Sequence, residues 1–312
     1  MSYCVVDGLT MSFHYRRLIM PTAYCWCPAY PLADTTALAR CREQLGAISQ
    51  ALGWTPLEAP SLTVHLPQGR WEEVNIRRAE LRQALSHPIL IAARGGYGCI
   101  DLIDDLLAYS ERPGLLIGYS DLTVFHAVWR DRGWGETLYG FLPAVPGGPR
   151  SLATTITLAK GDGLRCDQGS DAAVSPLRDG RANGRLFAAC LRVLTSLIGT
   201  PAFPDLAGTI LCLEDTDERP YQMDRDLQQL HRAGALRGVV GLVCGVFPAR
   251  VAPGYAGPTS RDIAATWANR LGVPTIAGLP FGHDPDPLTL PCGRTAELTV
   301  NHAEWSLVIA AR

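Results

Sequence analysis

No stretch of this 312-residue chain is apolar over the roughly 18 residues that a membrane-spanning helix requires. There is no run of lysine or arginine, and the formal net charge is only −2, so the electrostatic footprint of a nucleic-acid or anionic-membrane binder is missing. The ten cysteines show no zinc-ligand spacing. Their close pair, Cys25 and Cys27, has a single residue between the two, a spacing that fits no zinc knuckle. The others are scattered singly, mostly in apolar runs such as "TILCLE" and "GLVCGVF", and read as buried free thiols of a reducing compartment rather than a disulfide framework. Neither a metal nor a cofactor is expected, and no internal repeat of fixed period is present.

The N-terminus needs a separate reading. "RRLIMPTAYCWCPA" sets two arginines before an apolar stretch, as a signal peptide would, but Pro21 and Pro28 interrupt it. Residues 1–20 are read as a loosely ordered extension, with Met20 an alternative start, and the protein as cytoplasmic.

What is present is an ordinary globular composition, 47% apolar and 19% charged, in a chain long enough for two domains. From residue 21 to 150, strand-like runs ("TAYCWC", "PILIAA", "GLLIG") alternate with amphipathic segments ("DTTALARCREQLGAISQALG", "EEVNIRRAELRQALS", "DLIDDLLAYS", "DLTVFHAVWRDRG"). The first of these helices has Asp34 or Thr35 at its cap and Gly53 at its stop. This alternation predicts an α/β domain with a parallel sheet flanked by helices. Residues 151–182 read as an interdomain crossover. Residues 183–312 read as a mixed α/β domain, with a helix over "GRLFAACLRVLTSLIGT", strands at "GTILCLE" and "GVVGLVCGVF", helices at "MDRDLQQLHRAG" and "RDIAATWANRLG", and a closing strand pair, "TAELTV" with "EWSLVIA". Ligands of such sheets sit beyond the carboxyl ends of the strands.

Four places could carry chemistry. In "LLIGYSDLT", Ser120 lies where a strand turns into a helix, so its hydroxyl is either a nucleophile beside helix N–H groups or simply the helix cap, with Asp121 in the first turn. The glycine that a G-x-S-x-G elbow has two residues after the serine is Leu122 here. A base is needed. His126 is six residues further along the helix, about 9 Å of rise, and is expected to be packed or partly exposed rather than to reach Ser120. His283, in the Gly- and Pro-rich loop "GLPFGHDPDP", is better placed. Glu214 ends the strand "GTILCLE", with Asp215, Asp217 and Glu218 as rivals, and Tyr221 and an Arg225 able to pair with an acid follow. "AARGGYG" offers adjacent glycines after a strand, suited to an oxyanion or a phosphate, without dinucleotide or P-loop spacing.

Taken together and in order, "ARGGYG", "LIGYSDLT", "LTSLIGTP", "LCLEDTDERPYQMDRDLQQL" and "LPFGHDPDPLTLPCG" resemble the LD-carboxypeptidases, the muramoyltetrapeptide carboxypeptidase family, over residues 22 to 300. "TAYCWCPAYPLAD" resembles a worn version of the family's opening segment. The resemblance implies two domains with the active site at their interface and a serine peptidase using Ser120, Glu214 and His283. Backbone N–H groups of Gly96 and Asp121 would form the oxyanion hole. It implies a homodimer acting on a small peptide, a murein tetrapeptide losing its C-terminal D-amino acid. Arg94, just before the Gly-Gly turn, is a candidate for the free carboxylate, or a structural partner of a nearby acid. The family also holds the microcin C self-immunity proteins; the Arg-Gly-Gly-Tyr-Gly turn here is similar to the murein branch, whereas the immunity branch tends to have Asn after the Tyr. Two departures, Cys190 where the family has Asn and Tyr139 where it has His, lie where substrate is shaped and leave a non-catalytic binding protein as a further alternative.

Overall fold

The computed structural model describes residues 20–63, 70–171, 173–248, 250–251 and 253–312, so all but Met20 of the expected extension lies outside the described residues. The first half comprises β1 (Thr22–Trp26), α1 (Thr35–Leu52), β2 (Thr55–Glu58), α2 (Arg70–Leu85), β3 (Ile89–Ala92), α3 (Ile103–Ala108), β4 (Leu115–Gly118), α4 (Thr123–Asp131) and β5 (Thr137–Tyr139). It continues through α5 (Pro149–Ala159), β6 (Leu164–Asp167), β7 (Ser175–Arg178), β8 (Gly180–Cys190), α6 (Leu191–Ser196), β9 (Thr209–Glu214), α7 (Pro220–Arg232) and β10 (Gly241–Cys244). The chain ends with α8 (Ser260–Leu271), β11 (Thr275–Ala277), β12 (Leu290–Cys292), β13 (Thr295–Asn301) and β14 (Glu304–Ile309).

Two sheets organise the molecule into two α/β domains. The first runs β12-β5-β4-β3-β1-β2; β1 to β5 are parallel, and β12, from the far end of the chain, closes it antiparallel to β5. The second runs β6-β14-β13-β8-β9-β10-β11-β7, with a parallel centre from β8 to β11 and antiparallel strands on both flanks. The stretch read as a crossover supplies α5 and both edge strands of this sheet, β6 and β7.

Local signals place α1 well. The Asp34 carboxylate accepts from the Ala37 N–H at 2.8 Å, and Gly53 ends the helix at φ 66. A helix over residues 184–200 is not what forms: Gly184 to Cys190 are the end of β8, and only Leu191–Ser196 coil. The run "LFAAC" is buried on both faces in the sheet centre, and a continuously apolar run carries no period to separate strand from helix. Alternation along β1 splits the first domain's core, Tyr24 and Trp26 facing one way, Ala23 and Cys25 the other. The Tyr24 side is continuous with the second domain's core through residues such as Phe187 and Phe281. The nine cysteines among the described residues are buried and free. No helix among these residues is long and apolar enough to cross a membrane.

Candidate active site

β4 and β5 bring Gly118 and Tyr139 into register at their carboxyl ends, and the chain turns just beyond. Ser120 adopts φ 68, a left-handed conformation that costs a non-glycine residue strain and persists only when neighbours enforce it. They do so through the backbone. The Ser120 N–H donates to the Tyr139 hydroxyl at 3.2 Å, and its carbonyl accepts from the Thr123 hydroxyl at 2.7 Å. Beneath the turn, His126 is fully buried, not partly exposed. Its Nε2 donates to the Gly118 carbonyl at 2.8 Å, so its Nδ1 accepts from the Thr137 hydroxyl at 2.6 Å. Burial pushes its pKa down to about 4, which keeps the ring neutral.

Ser120 does not cap a helix. The cap position of the 3₁₀ turn Ser120–Leu122 is Tyr119 and that of α4 is Leu122, and neither element has a side-chain cap. The Gly-Gly turn instead passes directly against it. A Cβ on Gly95 would lie 2.9 Å from Ser120 Cβ and 3.1 Å from its Oγ, so this approach needs glycine. Gly96, at φ 127, lies under the Tyr30 ring. The Asp121 carboxylate is buried and accepts from the Cys99 N–H at 2.8 Å, tying this turn to the serine turn; burial raises its pKa. Gly98, at φ 138, faces the buried Arg77 guanidinium, where a Cβ would come within 2.9 Å.

On the opposite side, Glu214 closes β9 with no exposed surface. Its Oε2 accepts from His283 Nδ1 at 2.7 Å and from the His283 N–H at 3.1 Å, and its Oε1 accepts from the Tyr139 hydroxyl at 2.6 Å. Gly282 makes this possible, since at φ 75 a Cβ there would lie 2.1 Å from the Glu214 carboxyl carbon. Burial opposes charging His283, but the hydrogen bond and charge of Glu214 outweigh it and raise the pKa above the usual histidine value. With Nδ1–H spent on the carboxylate, Nε2 carries the free lone pair that a general base needs. The Tyr119 ring stands edge-on to His283 at 5.3 Å. Ser120 Oγ and His283 make no direct hydrogen bond among those present.

Among the described residues, none of the rivals of Glu214 hydrogen-bonds to His283. Asp215 accepts from the N–H groups of Arg192 and Thr216 at 2.8 and 2.9 Å and from Cys190 Sγ at 3.4 Å, and burial pushes its pKa up to about 6. The Asp217 N–H donates to the Pro248 carbonyl, and the Glu218 carbonyl accepts from the Arg250 N–H. Arg225 lies over the exposed Tyr221 ring at 5.1 Å rather than pairing with an acid. Arg94 also makes no ion pair among the described residues; it donates to the Pro31 carbonyl at 3.2 Å and lies 5.8 Å over the Tyr30 ring. Cys190 is buried, its N–H donating to the Thr123 hydroxyl at 3.0 Å. Sequence reasoning missed Thr123 altogether and named Tyr139 only as a departure where substrate is shaped, without its contacts to Ser120 and Glu214. The available signal for Tyr139 was its position at a strand's carboxyl end, but β5 is only three residues long. Among the described residues no group of three or more His, Cys, Asp or Glu could hold a metal ion.

Comparisons with known proteins agree on one family. Residues 25–140 match the LD-carboxypeptidase N-terminal domain and residues 183–298 the LD-carboxypeptidase C-terminal domain. The chain is 34% identical over 242 residues to a Streptomyces coelicolor protein named as a carboxypeptidase, covering 74% of this chain and 76% of that one. It is 31% identical over 259 residues to the murein tetrapeptide carboxypeptidase of Pseudomonas aeruginosa, covering 74% and 80%. The crystal structure of muramoyltetrapeptide carboxypeptidase from Oxalobacter formigenes superposes with a TM-score of 0.76 at 25% identity, over 92% of this chain and 99% of that one. The microcin C7 self immunity protein shares the fold, with a TM-score of 0.73 at 17% identity over 94% and 98%. The chain belongs to the LD-carboxypeptidase family and is a serine-type carboxypeptidase built from that family's N- and C-terminal domains.

Proposed function

We propose that this enzyme releases a C-terminal D-amino acid, D-alanine, from murein tetrapeptides in the cytoplasm through an acyl-enzyme on Ser120. The observation that carries the reading is the fully buried Glu214 carboxylate bonded to His283 Nδ1 at 2.7 Å, one hydroxyl away from the strained Ser120 turn. In this scheme Ser120 Oγ attacks the carbonyl carbon of the terminal L,D bond while His283 Nε2 takes its proton, and Glu214 stabilises the imidazolium. Substrate completes the Ser120 to His283 hydrogen bond, as catalytic contacts often tighten on binding. The N–H groups of Gly96 and Asp121 receive the developing oxyanion. Collapse expels the amine, which takes the proton from His283; water, deprotonated by the same ring, then hydrolyses the ester. Arg94 is assigned the substrate's free carboxylate.

The murein peptide is preferred over a microcin-type nucleotide because the residue after Tyr97 is Gly98, as in the murein branch, where the immunity branch tends to have asparagine; its φ of 138 is one that residues with a side chain rarely adopt. Mass spectrometry after incubation with a murein tetrapeptide is expected to show the tripeptide and free D-alanine, and Ser120→Ala to abolish that conversion with the fold intact. Turnover by Ser120→Ala would sink the mechanism. Exclusive turnover of an acyl-sulfamoyl nucleotide would move the enzyme to the immunity branch, and failure of Ser120 to react with a fluorophosphonate that fits the site would favour a non-catalytic binder.

A further inference from the structure

We infer that Tyr139 is a positioning residue whose hydroxyl locks the triad carboxylate and the nucleophile's peptide into one hydrogen-bonded unit across the domain seam. The inference rests on the proposed roles of Ser120, Glu214 and His283. Tyr139 belongs to the first sheet and Glu214 to the second, yet the hydroxyl donates to Glu214 Oε1 at 2.6 Å and accepts from the Ser120 N–H at 3.2 Å. A phenol has one proton to give and two lone pairs to receive with, so both contacts can be made at once. The ring is fully buried between the rings of Tyr119, His126 and Phe281, with centroids 6.1, 5.2 and 6.4 Å away, and cannot swing aside.

Two consequences follow for the reaction. First, Glu214 uses Oε1 for Tyr139 and Oε2 for His283, so the carboxylate plane cannot rotate and the imidazole is presented in one orientation. A buried carboxylate oxygen without a donor would be strongly disfavoured, and Tyr139 removes that cost. Second, the Ser120 N–H is committed to Tyr139 and is not available to an oxyanion, which leaves that work to the next residue and the Gly-Gly turn. The serine carbonyl is tied to the second domain as well, through the Thr123 hydroxyl that accepts from the Cys190 N–H. The nucleophile turn is thus gripped on both sides by contacts that reach the other domain.

The test compares wild type, Ser120→Ala and Tyr139→Phe by kcat, KM and the pH dependence of kcat/KM on the murein tetrapeptide, with thermal melting as a check on folding. Tyr139→Phe keeps the packed ring and removes only the hydroxyl. Losing one hydrogen bond to a charged group is expected to lower kcat about 10- to 100-fold with KM nearly unchanged. The acid limb should also move to higher pH, because Glu214 then concentrates its charge on His283. The other titratable groups near enough to act on His283 are Asp215 and Asp217, through their charge, and Tyr119, through its ring, and this substitution leaves all three in place. Incorporation of 3,5-difluorotyrosine at position 139 keeps the hydroxyl and strengthens its donation, so it should move the limb the other way; it also serves if Tyr139→Phe folds poorly. Wild-type kcat and an unmoved acid limb in both variants, with Ser120→Ala inactive, would overturn the role of Tyr139 and leave the mechanism standing. Activity in Ser120→Ala would remove the mechanism itself.

Discussion

On the second-domain side of the seam, Glu214 has no exposed surface, both its oxygens are engaged, and His283 is held through ring and backbone alike. On the first-domain side, Ser120 is held through its peptide groups alone, in a strained conformation against Gly95. The contrast follows from what each group must do in the proposed mechanism. A carboxylate taken out of water needs its partners in place before substrate arrives, or burial drives it to protonate. A nucleophile needs its hydroxyl uncommitted, so its position has to come from backbone torsion and from neighbours small enough to approach it. One half of the site is therefore built by satisfying a side chain, the other by constraining a main chain.

With the Ser120 hydroxyl itself left in place, the largest expected break comes on the satisfied side. Glu214→Gln keeps the shape but puts an amide where His283 needs an acceptor and a countercharge, and is expected to cost about 10³- to 10⁴-fold in kcat. A loss under tenfold, measured by release of D-alanine, would mean that the buried pair does not organise the base. The constrained side should break more gently. Gly95→Ala sets a methyl 3.1 Å from Ser120 Oγ and should lower kcat about 10- to 100-fold. Gly46→Ala is its control: that site lies inside α1 with nothing within 4 Å, so activity should hold and stability should rise by about 1 kcal/mol in chemical denaturation. Equal kinetics for the two variants would show that the close approach at Gly95 is not used.

The smallest effect sharpens the comparison through stability alone. His126 supports the serine turn as a neutral ring with its pKa pushed down to about 4. Between that value and the ordinary histidine value the unfolded chain binds more protons than the folded one. Its contribution is therefore complete above pH about 6.5 and lost as pH falls toward 4, with a ceiling on the order of 3 kcal/mol. Thermal melts across this window should fall more steeply for wild type than for His126→Gln. Identical slopes would mean that the ring is not held neutral.

Much of the fold was legible because its signals are local. Asp34 and Gly53 bracket α1, and alternation sorted β1 between two core faces. The stretch 184–200 misleads for an equally physical reason, since a strand buried on both faces and a buried helix can share one apolar composition. β2 and β5 are short, three or four residues each, and acquire strand geometry only from the neighbours that pair with them. For the site, Ser120, Glu214 and His283 were proposed from ordered motifs that resemble the family's, since spacing alone left Asp215, Asp217 and Glu218 as rivals. The cap role considered for Ser120 failed because the helical turn begins at the serine itself, which leaves the cap positions to Tyr119 and Leu122, a boundary that residue type does not specify to one position.

By itself the sequence determined which groups are available and where the chain turns: an apolar run ending in Glu214, a glycine before His283, paired glycines after β3, and a serine where β4 ends. Local propensity and patterning suffice for that, because they act over a few residues. Only the tertiary structure decided that Asp215 turns away while Glu214 meets His283, and that a tyrosine 75 positions from Glu214 closes the network. Those choices depend on which distant groups share a buried space, where each polar atom must find its partner.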